Sequence, residues 1–213
     1  MNQIATPLLL ALALLAATTS LAPAAVPSAA NSSLPACMAL CPMGDMPFTV
    51  IVRDFANNPV PGSTVVLDFS GCPNGAFICT PLPTDPYITN LGARTLSMTA
   101  DASGKVTFPA RIGGTGPAGC AAVFADGVLM RHYALASPDQ GGDGQVVLVF
   151  GNDLPLFSAK LGSADPTADF DCSGGAVNPS DQTILFAHAW HGCFGFVDAV
   201  NRRTWGSLKL HYR

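Results

Sequence analysis

The sequence contains no glutamate: all 14 acidic residues are aspartates, and only three lysines accompany seven arginines. Glu and Lys ordinarily fill the exposed faces of helices, so their scarcity excludes a mainly helical protein. Charged residues make up 11% of the 213 residues, and the net charge is −4. No basic stripe runs through the body of the chain. That excludes nucleic-acid binding, which needs clustered Lys and Arg to displace the counterions of phosphates. Long apolar runs are lacking too: the stretch from Leu8 to Ala17 is soon broken by Pro23 and Pro27 and is too short to span a bilayer stably. No G-x-S-x-G elbow, H-E-x-x-H pair or phosphate-binding loop occurs, and the chain is read as non-enzymatic. A small hydrolase whose carboxylates meet only in space is the competing class.

What is present points to a packed β-rich protein. Hydrophobic residues reach 49%, enough for a buried core, and 21 Gly with 18 Pro favour many turns. Residues 1–24 read as an export signal. The apolar stretch is followed by the small-residue pattern Ala22-Pro23-Ala24, although Met1 to Pro7 lacks the usual basic start. Residues 25–40, rich in Ala, Pro and Ser, are expected to form a flexible lead-in.

All seven cysteines follow that signal, and export at this density predicts disulfides. Cys72 and Cys79 bracket a short loop and are the first expected pair, the other pairings being open. An odd count leaves one thiol over. Leu34-Pro35-Ala36-Cys37 faintly resembles a lipoprotein cleavage box, an alternative that would leave an even six. A Cys172–Cys193 bridge is disfavoured. A helix between them would be roughly 18 Å long, against the limit of about 7 Å for bridged Cα atoms.

Seven strand signals follow one another: 48–54, 63–69, 95–100, 105–109, 120–125, 128–135 and 145–150. They are rich in β-branched residues and divided by turn clusters. Asp101-Ala102-Ser103-Gly104 reads as a hairpin loop, and Gly113 to Pro117 as a break. This spacing predicts an all-β sandwich of about seven strands over residues 41–155.

Three of these stretches, Val50-Ile51-Val52-Arg53-Asp54, Asn58-Pro59-Val60-Pro61-Gly62 and Thr99-Ala100-Asp101-Ala102-Ser103-Gly104-Lys105-Val106, resemble bacterial immunoglobulin-like domains of the invasin type. The resemblance covers roughly residues 46–152. It implies an immunoglobulin-like β-sandwich used for display or adhesion, with an unspecified protein or glycan partner at the cell surface. The internal cysteines and the long 70–93 insertion depart from that family.

Residues 160–194 carry the sharpest chemistry. Calcium takes six to eight oxygens, which an EF-hand-type loop supplies from alternate positions around a glycine bend. Asp169, Asp171 and Ser173 stand at positions 1, 3 and 5, Gly174 at position 6, and Asp181 closes the loop if one extra glycine is allowed. Asn178 suits the N-cap of the exiting helix, Pro179 its first position and Asp181 its first turn. Asp169, Asp171, Ser173 and Asp181 are therefore the candidate calcium ligands. The order of these residues resembles the loops of type I dockerin modules. That resemblance implies a cohesin-like partner and, as the alternative function, an accessory component of a polysaccharide-degrading or cell-surface assembly. Dockerins carry two such repeats, and one is present here.

His188, His191 and Cys193 share metal-ligand types at close spacing, but the plainer reading, a helix end, is adopted. Residues 195–213 hold four of the ten basic residues and read as a basic, solvated tail.

Overall fold

The computed structural model describes residues 25–73, 75–148, 153–193 and, for backbone only, 195–196. The expected export signal, 1–24, and the expected basic tail beyond residue 196 lie outside them.

In chain order the strands of the N-terminal half are β1 (Met38–Ala39), β2 (Phe48–Ile51), β3 (Thr64–Asp68), β4 (Phe77–Ile78), β5 (Ile88–Asn90) and β6 (Thr95–Thr99). They are followed by β7 (Lys105–Phe108), β8 (Ile112–Gly113), β9 (Gly116–Ala125) and β10 (Val128–Ala136). Two short helices, α1 (Asp153–Ser158) and α2 (Pro179–Ala187), precede the small strands β11 (His191–Gly192) and β12 (Gly195–Phe196). Among the described residues the protein is thus mostly β, with helix confined to the C-terminal part, as the missing Glu and scarce Lys imply.

Six strands form a curled mixed sheet in the order β1-β10-β9-β3-β6-β5, antiparallel except where β1 runs parallel to β10. Separate two-stranded ribbons pair β2 with β7 and β4 with β8. Side chains alternate in the expected period of two: Phe48 and Val50 of β2, and Val65 and Leu67 of β3, point inward. They share one core with Leu96, Val106, Phe108, Val123 and Leu135. Phe48 meets Tyr133 edge to face, the rings 5.6 Å apart, which joins the β2–β7 ribbon to the sheet.

The tight hairpin is β9–β10, turning through Asp126 and Gly127, both at positive φ. That is the backbone of a type I′ turn, for which Asp-Gly is suited. The expected hairpin at Asp101–Gly104 is corrected: the turn exists, but β6 pairs with β3 and β5 while β7 pairs with β2. The turn carries the chain from one sheet to another. The expected break at Gly113–Pro117 is also shorter than its composition suggests, because β9 already begins at Gly116. Pro117 is tolerated there beside an irregularity in the β9–β10 register. The seventh expected strand, 145–150, is not formed over its described residues, 145–148. Among its described residues only Gln145 makes an isolated bridge, to Gly192.

The expected flexible lead-in is ordered over much of its length. Ser33 pairs with Ile51, β1 lies in the sheet, and Met38 and Leu40 are fully buried. Apolar residues at these positions outweigh the loop-like composition around them.

Three disulfides close the fold: Cys37–Cys172, Cys72–Cys120 and Cys79–Cys193, with Cys41 free and buried. The expected Cys72–Cys79 pair is therefore corrected. Cys72 reaches across to β9, and Cys79 to the far end of the C-terminal segment. Cys37, engaged in a disulfide, is not the lipidated residue of the alternative reading. The leftover thiol is Cys41. A second, smaller core of Ala136, Val146, Phe157, Ala168, Phe170, Val177 and Leu185 lies beneath the two helices, with Phe157 stacked on Phe170. No helix among the described residues is long and apolar enough to cross a membrane.

Candidate metal centre

The loop from Asp169 to Asp181 is built from its own backbone inward. Gly174 takes a positive φ of 69°, the bend expected at position 6, and Cys172 one of 58°. Cys172 is held in that uncommon conformation while its disulfide ties the loop to Cys37, ahead of β1. Asn178 caps α2 by accepting from the Ser180 amide at 2.7 Å, and its own amide donates to Asp181 Oδ2 at 2.9 Å. This reciprocal cap satisfies donors that a helix start otherwise leaves open. Leu185 of α2 and Val177 in the loop are buried beneath it.

The three carboxylates of Asp169, Asp171 and Asp181 converge, with oxygens within 4.8 Å of one another. Asp169 and Asp181 are buried, and Asp171 is exposed. This group could hold a metal ion. Each carboxylate also organises the loop. Asp169 accepts from the amides of Ser173 at 3.1 Å and Gly174 at 2.9 Å. Asp171 accepts from the Ser173 amide at 2.9 Å. Asp181 Oδ1 accepts from Phe170 at 2.7 Å and Asp171 at 3.1 Å. Ser173 sits beside the cluster, its amide shared between Asp169 and Asp171.

Electrostatics follow from this crowding. Burial raises the Asp169 carboxyl above its ordinary value, and the neighbouring Asp171 and Asp181 add to the rise. Hydrogen bonds from the Ser173 hydroxyl and amide lower Asp171. A cation would relieve the mutual repulsion of three carboxylates at this range. With both lone-pair directions of Asp181 Oδ1 already taken by amides, Asp181 offers its other oxygen. A bidentate last ligand, usual in an EF-hand loop, does not fit here, so waters or loop carbonyls would complete six or seven oxygens.

His188 and His191 approach a thiol, against the expected plain helix end, and it is not the neighbouring Cys193. Cys193 is bonded to Cys79, whereas both imidazoles face Cys41 and Asp45. The sequence reading missed Cys41 and Asp45, which stand 150 residues before His191 and 143 before His188 respectively. The odd cysteine count was the one signal of a thiol set aside for something other than a disulfide.

No protein-family model matches the chain, and no curated protein and no solved structure is significantly similar to it.

Proposed function

We propose that the chain is an exported, non-enzymatic binding or display module, immunoglobulin-like in its β-rich body and carrying a calcium-holding loop at Asp169–Asp181. The observation that carries the reading is the convergence of Asp169, Asp171 and Asp181 around a glycine bend at the start of a capped helix. Three disulfides fit an oxidising, extracytoplasmic setting, where calcium is abundant and thiols are not kept reduced. The ion acts structurally: it neutralises the carboxylate cluster and stiffens the loop against which Phe170 and Val177 pack. The partner is a protein or glycan met at the cell surface.

The test is calorimetric titration of calcium into chelator-treated protein, alongside thermal unfolding with and without the ion. One site is expected. A hundredfold excess of calcium over its Kd stabilises the loop by about 2.7 kcal/mol. Asp171→Ala, an exposed change, abolishes binding without unfolding the protein. Asp181→Ala destabilises even without calcium, because it strips three amides of their acceptor. Wild-type protein that takes up no calcium would reduce the loop to a self-contained carboxylate turn.

A further inference from the structure

Four side chains outside the aspartate loop meet where the chain segment after β1 touches the end of α2. Cys41, Asp45, His188 and His191 each offer one ligand atom, and these atoms lie within 4.8 Å of one another. Four of the separations are fixed closely. Asp45 Oδ2 is 2.9 Å from His191 Nδ1 and 3.1 Å from His188 Nδ1, the two imidazole nitrogens are 3.2 Å apart, and Cys41 Sγ is 3.7 Å from His191 Nδ1. A tetrahedral zinc ion at about 2.0–2.1 Å from nitrogen, about 2.0–2.2 Å from oxygen and about 2.3 Å from sulfur spaces its ligands at roughly 3.3–3.6 Å. The observed separations match those edges to within a few tenths of an ångström.

We infer that Cys41, Asp45, His188 and His191 form a structural zinc site. A hydrogen-bond network alone explains the geometry poorly. If both imidazoles donate Nδ1–H to Asp45, two donors face each other at 3.2 Å. If one imidazole accepts from the other, Asp45 loses one of its two donors. An ion at the centre accepts lone pairs from all four atoms at once.

The backbone builds each half of the site separately. On one side the amide of Gly44 bonds the carbonyl of Cys41 at 2.9 Å, closing a turn that aims Cys41 and Asp45 the same way. Gly44 has a φ of 83°, and a Cβ there would lie 2.6 Å from the Pro109 carbonyl oxygen, so only glycine makes this turn. On the other side the His188 amide bonds Ile184 O, Trp190 donates to Val146 O at 2.7 Å, and Val146 donates to His191 O at 2.9 Å. Both imidazoles are positioned before any ligand binds, as a metal site requires.

The donor set selects the ion. One thiolate, two imidazoles and one carboxylate, the ligand types and number of a tetrahedral site, suit zinc; calcium and magnesium prefer oxygen ligands and higher coordination. Four protein ligands close the coordination sphere, which makes the site structural and not catalytic. Cys41 is fully buried, while Asp45 has 36% of its side chain exposed and offers the way in. Zinc there would fasten the 41–45 turn to the end of α2, a third link between the β-rich body and the C-terminal segment beside the Cys37–Cys172 and Cys79–Cys193 bridges.

The experiment uses the full oxidised chain, stripped with a chelator, then titrated with Zn2+ and, separately, with Co2+ as an optical probe. One zinc per chain is expected. The cobalt form should show a thiolate-to-metal charge-transfer band and the intense visible bands of a tetrahedral ion. Cys41→Ser should remove the charge-transfer band. Loss of any one ligand should weaken zinc binding by more than the roughly 10–100-fold that second-shell changes cost. Asp45→Asn, on a half-exposed side chain, gives the same test where Cys41→Ser fails to fold. Asp171→Ala should leave zinc binding unchanged, which separates this site from the aspartate loop. Absence of stoichiometric zinc, an octahedral cobalt spectrum, or zinc binding that survives both Cys41→Ser and Asp45→Asn would overturn the assignment. Binding of Cu2+ but not Zn2+ would overturn the choice of metal.

Discussion

The β-rich body, residues 38–136, and the C-terminal segment, 153–193, are held together by different forces. In the body 24 buried residues form one continuous core, including Phe48, Phe69, Phe108, Leu67 and Leu96. The segment shares in a core of seven, two of them alanines. Its helices are six and nine residues long, too short to be stable without support. What the segment has in place of apolar area is covalent and polar fastening. Two of the three disulfides end in it, and buried aspartates bind its loops through backbone amides. The body folds because burial favours it, and the segment stays folded because it is tied to the body. Cross-links and internally satisfied carboxylates substitute for a core where a chain is too short to build one.

The largest expected effect comes from cutting one of those ties. The Cys37–Cys172 bridge spans 135 residues, and on the chain-entropy model such a loop contributes about 5 kcal/mol. The double change Cys37→Ser and Cys172→Ser should release the segment first. Amide exchange in α2 and around Asp169–Asp181 should quicken by orders of magnitude, while β3, β9 and β10 keep their protection. Loss of protection in all of these together would show one cooperative unit and erase the distinction between the two regions.

A smaller effect, about 2–4 kcal/mol, is expected at the junction. Asp139 is fully buried and accepts four backbone amides: Gly142 at 2.8 Å and Asp143 at 3.2 Å on one oxygen, Gly114 at 3.1 Å and Gly144 at 2.9 Å on the other. Gly114 belongs to the body, and the other three lie on the path to the segment. Burial pushes this carboxyl up to about 6, with the charge of Asp153 adding to it and the amides opposing. Asp139→Asn keeps the shape but turns one oxygen into a donor aimed at two other donors. Chemical denaturation should show the loss, and exchange should show it shared between β8 and the 139–144 loop. Destabilisation confined to that loop would mean the junction belongs to the segment alone.

How much of this was legible in the residues depended on distance along the chain. Strands at 48–51, 64–68, 95–99 and 105–108 follow from β-branched runs bounded by Pro, Gly and Asn. The α2 cap follows from Asn178, Pro179 and Asp181, which act on one another within four residues. Partners far apart were not legible. The Asp101–Gly104 turn has the same local chemistry whether its strands pair with each other or join different sheets. Cys72 lies seven residues from Cys79 yet pairs with Cys120, because the arrangement of β3 and β9, not proximity in sequence, brings the sulfurs together. Asp45 stands 143 residues from His188, and only the packing of the 41–45 turn under α2 unites them.

The smallest expected effect contrasts the capping groups of the two regions. Turns in the body use charged caps. Asp101 Oδ1 accepts from the Ser103 hydroxyl at 2.7 Å, the Ser103 amide at 2.8 Å and the Lys105 amide at 3.0 Å. These bonds, the hydroxyl's first, hold its carboxyl below the ordinary value. The α2 helix is capped by the neutral Asn178. A carboxyl lowered on folding stabilises the fold above its unfolded pKa, and that contribution is lost as pH falls through the lowered folded value. Asp101→Asn should therefore be slightly less stable than wild type at pH 7, with the gap closing below about pH 4, the ordinary carboxylate range. Denaturant titrations of both proteins at pH 7, 4 and 2.5 measure that gap. An Asn178→Asp variant should show the converse, adding at the Ser180 amide an acid-sensitive contribution that the neutral Asn178 side chain does not make. If the Asp101→Asn gap stays constant with pH, the turn is held by Gly104 and its backbone bonds, and the charge on the cap contributes nothing.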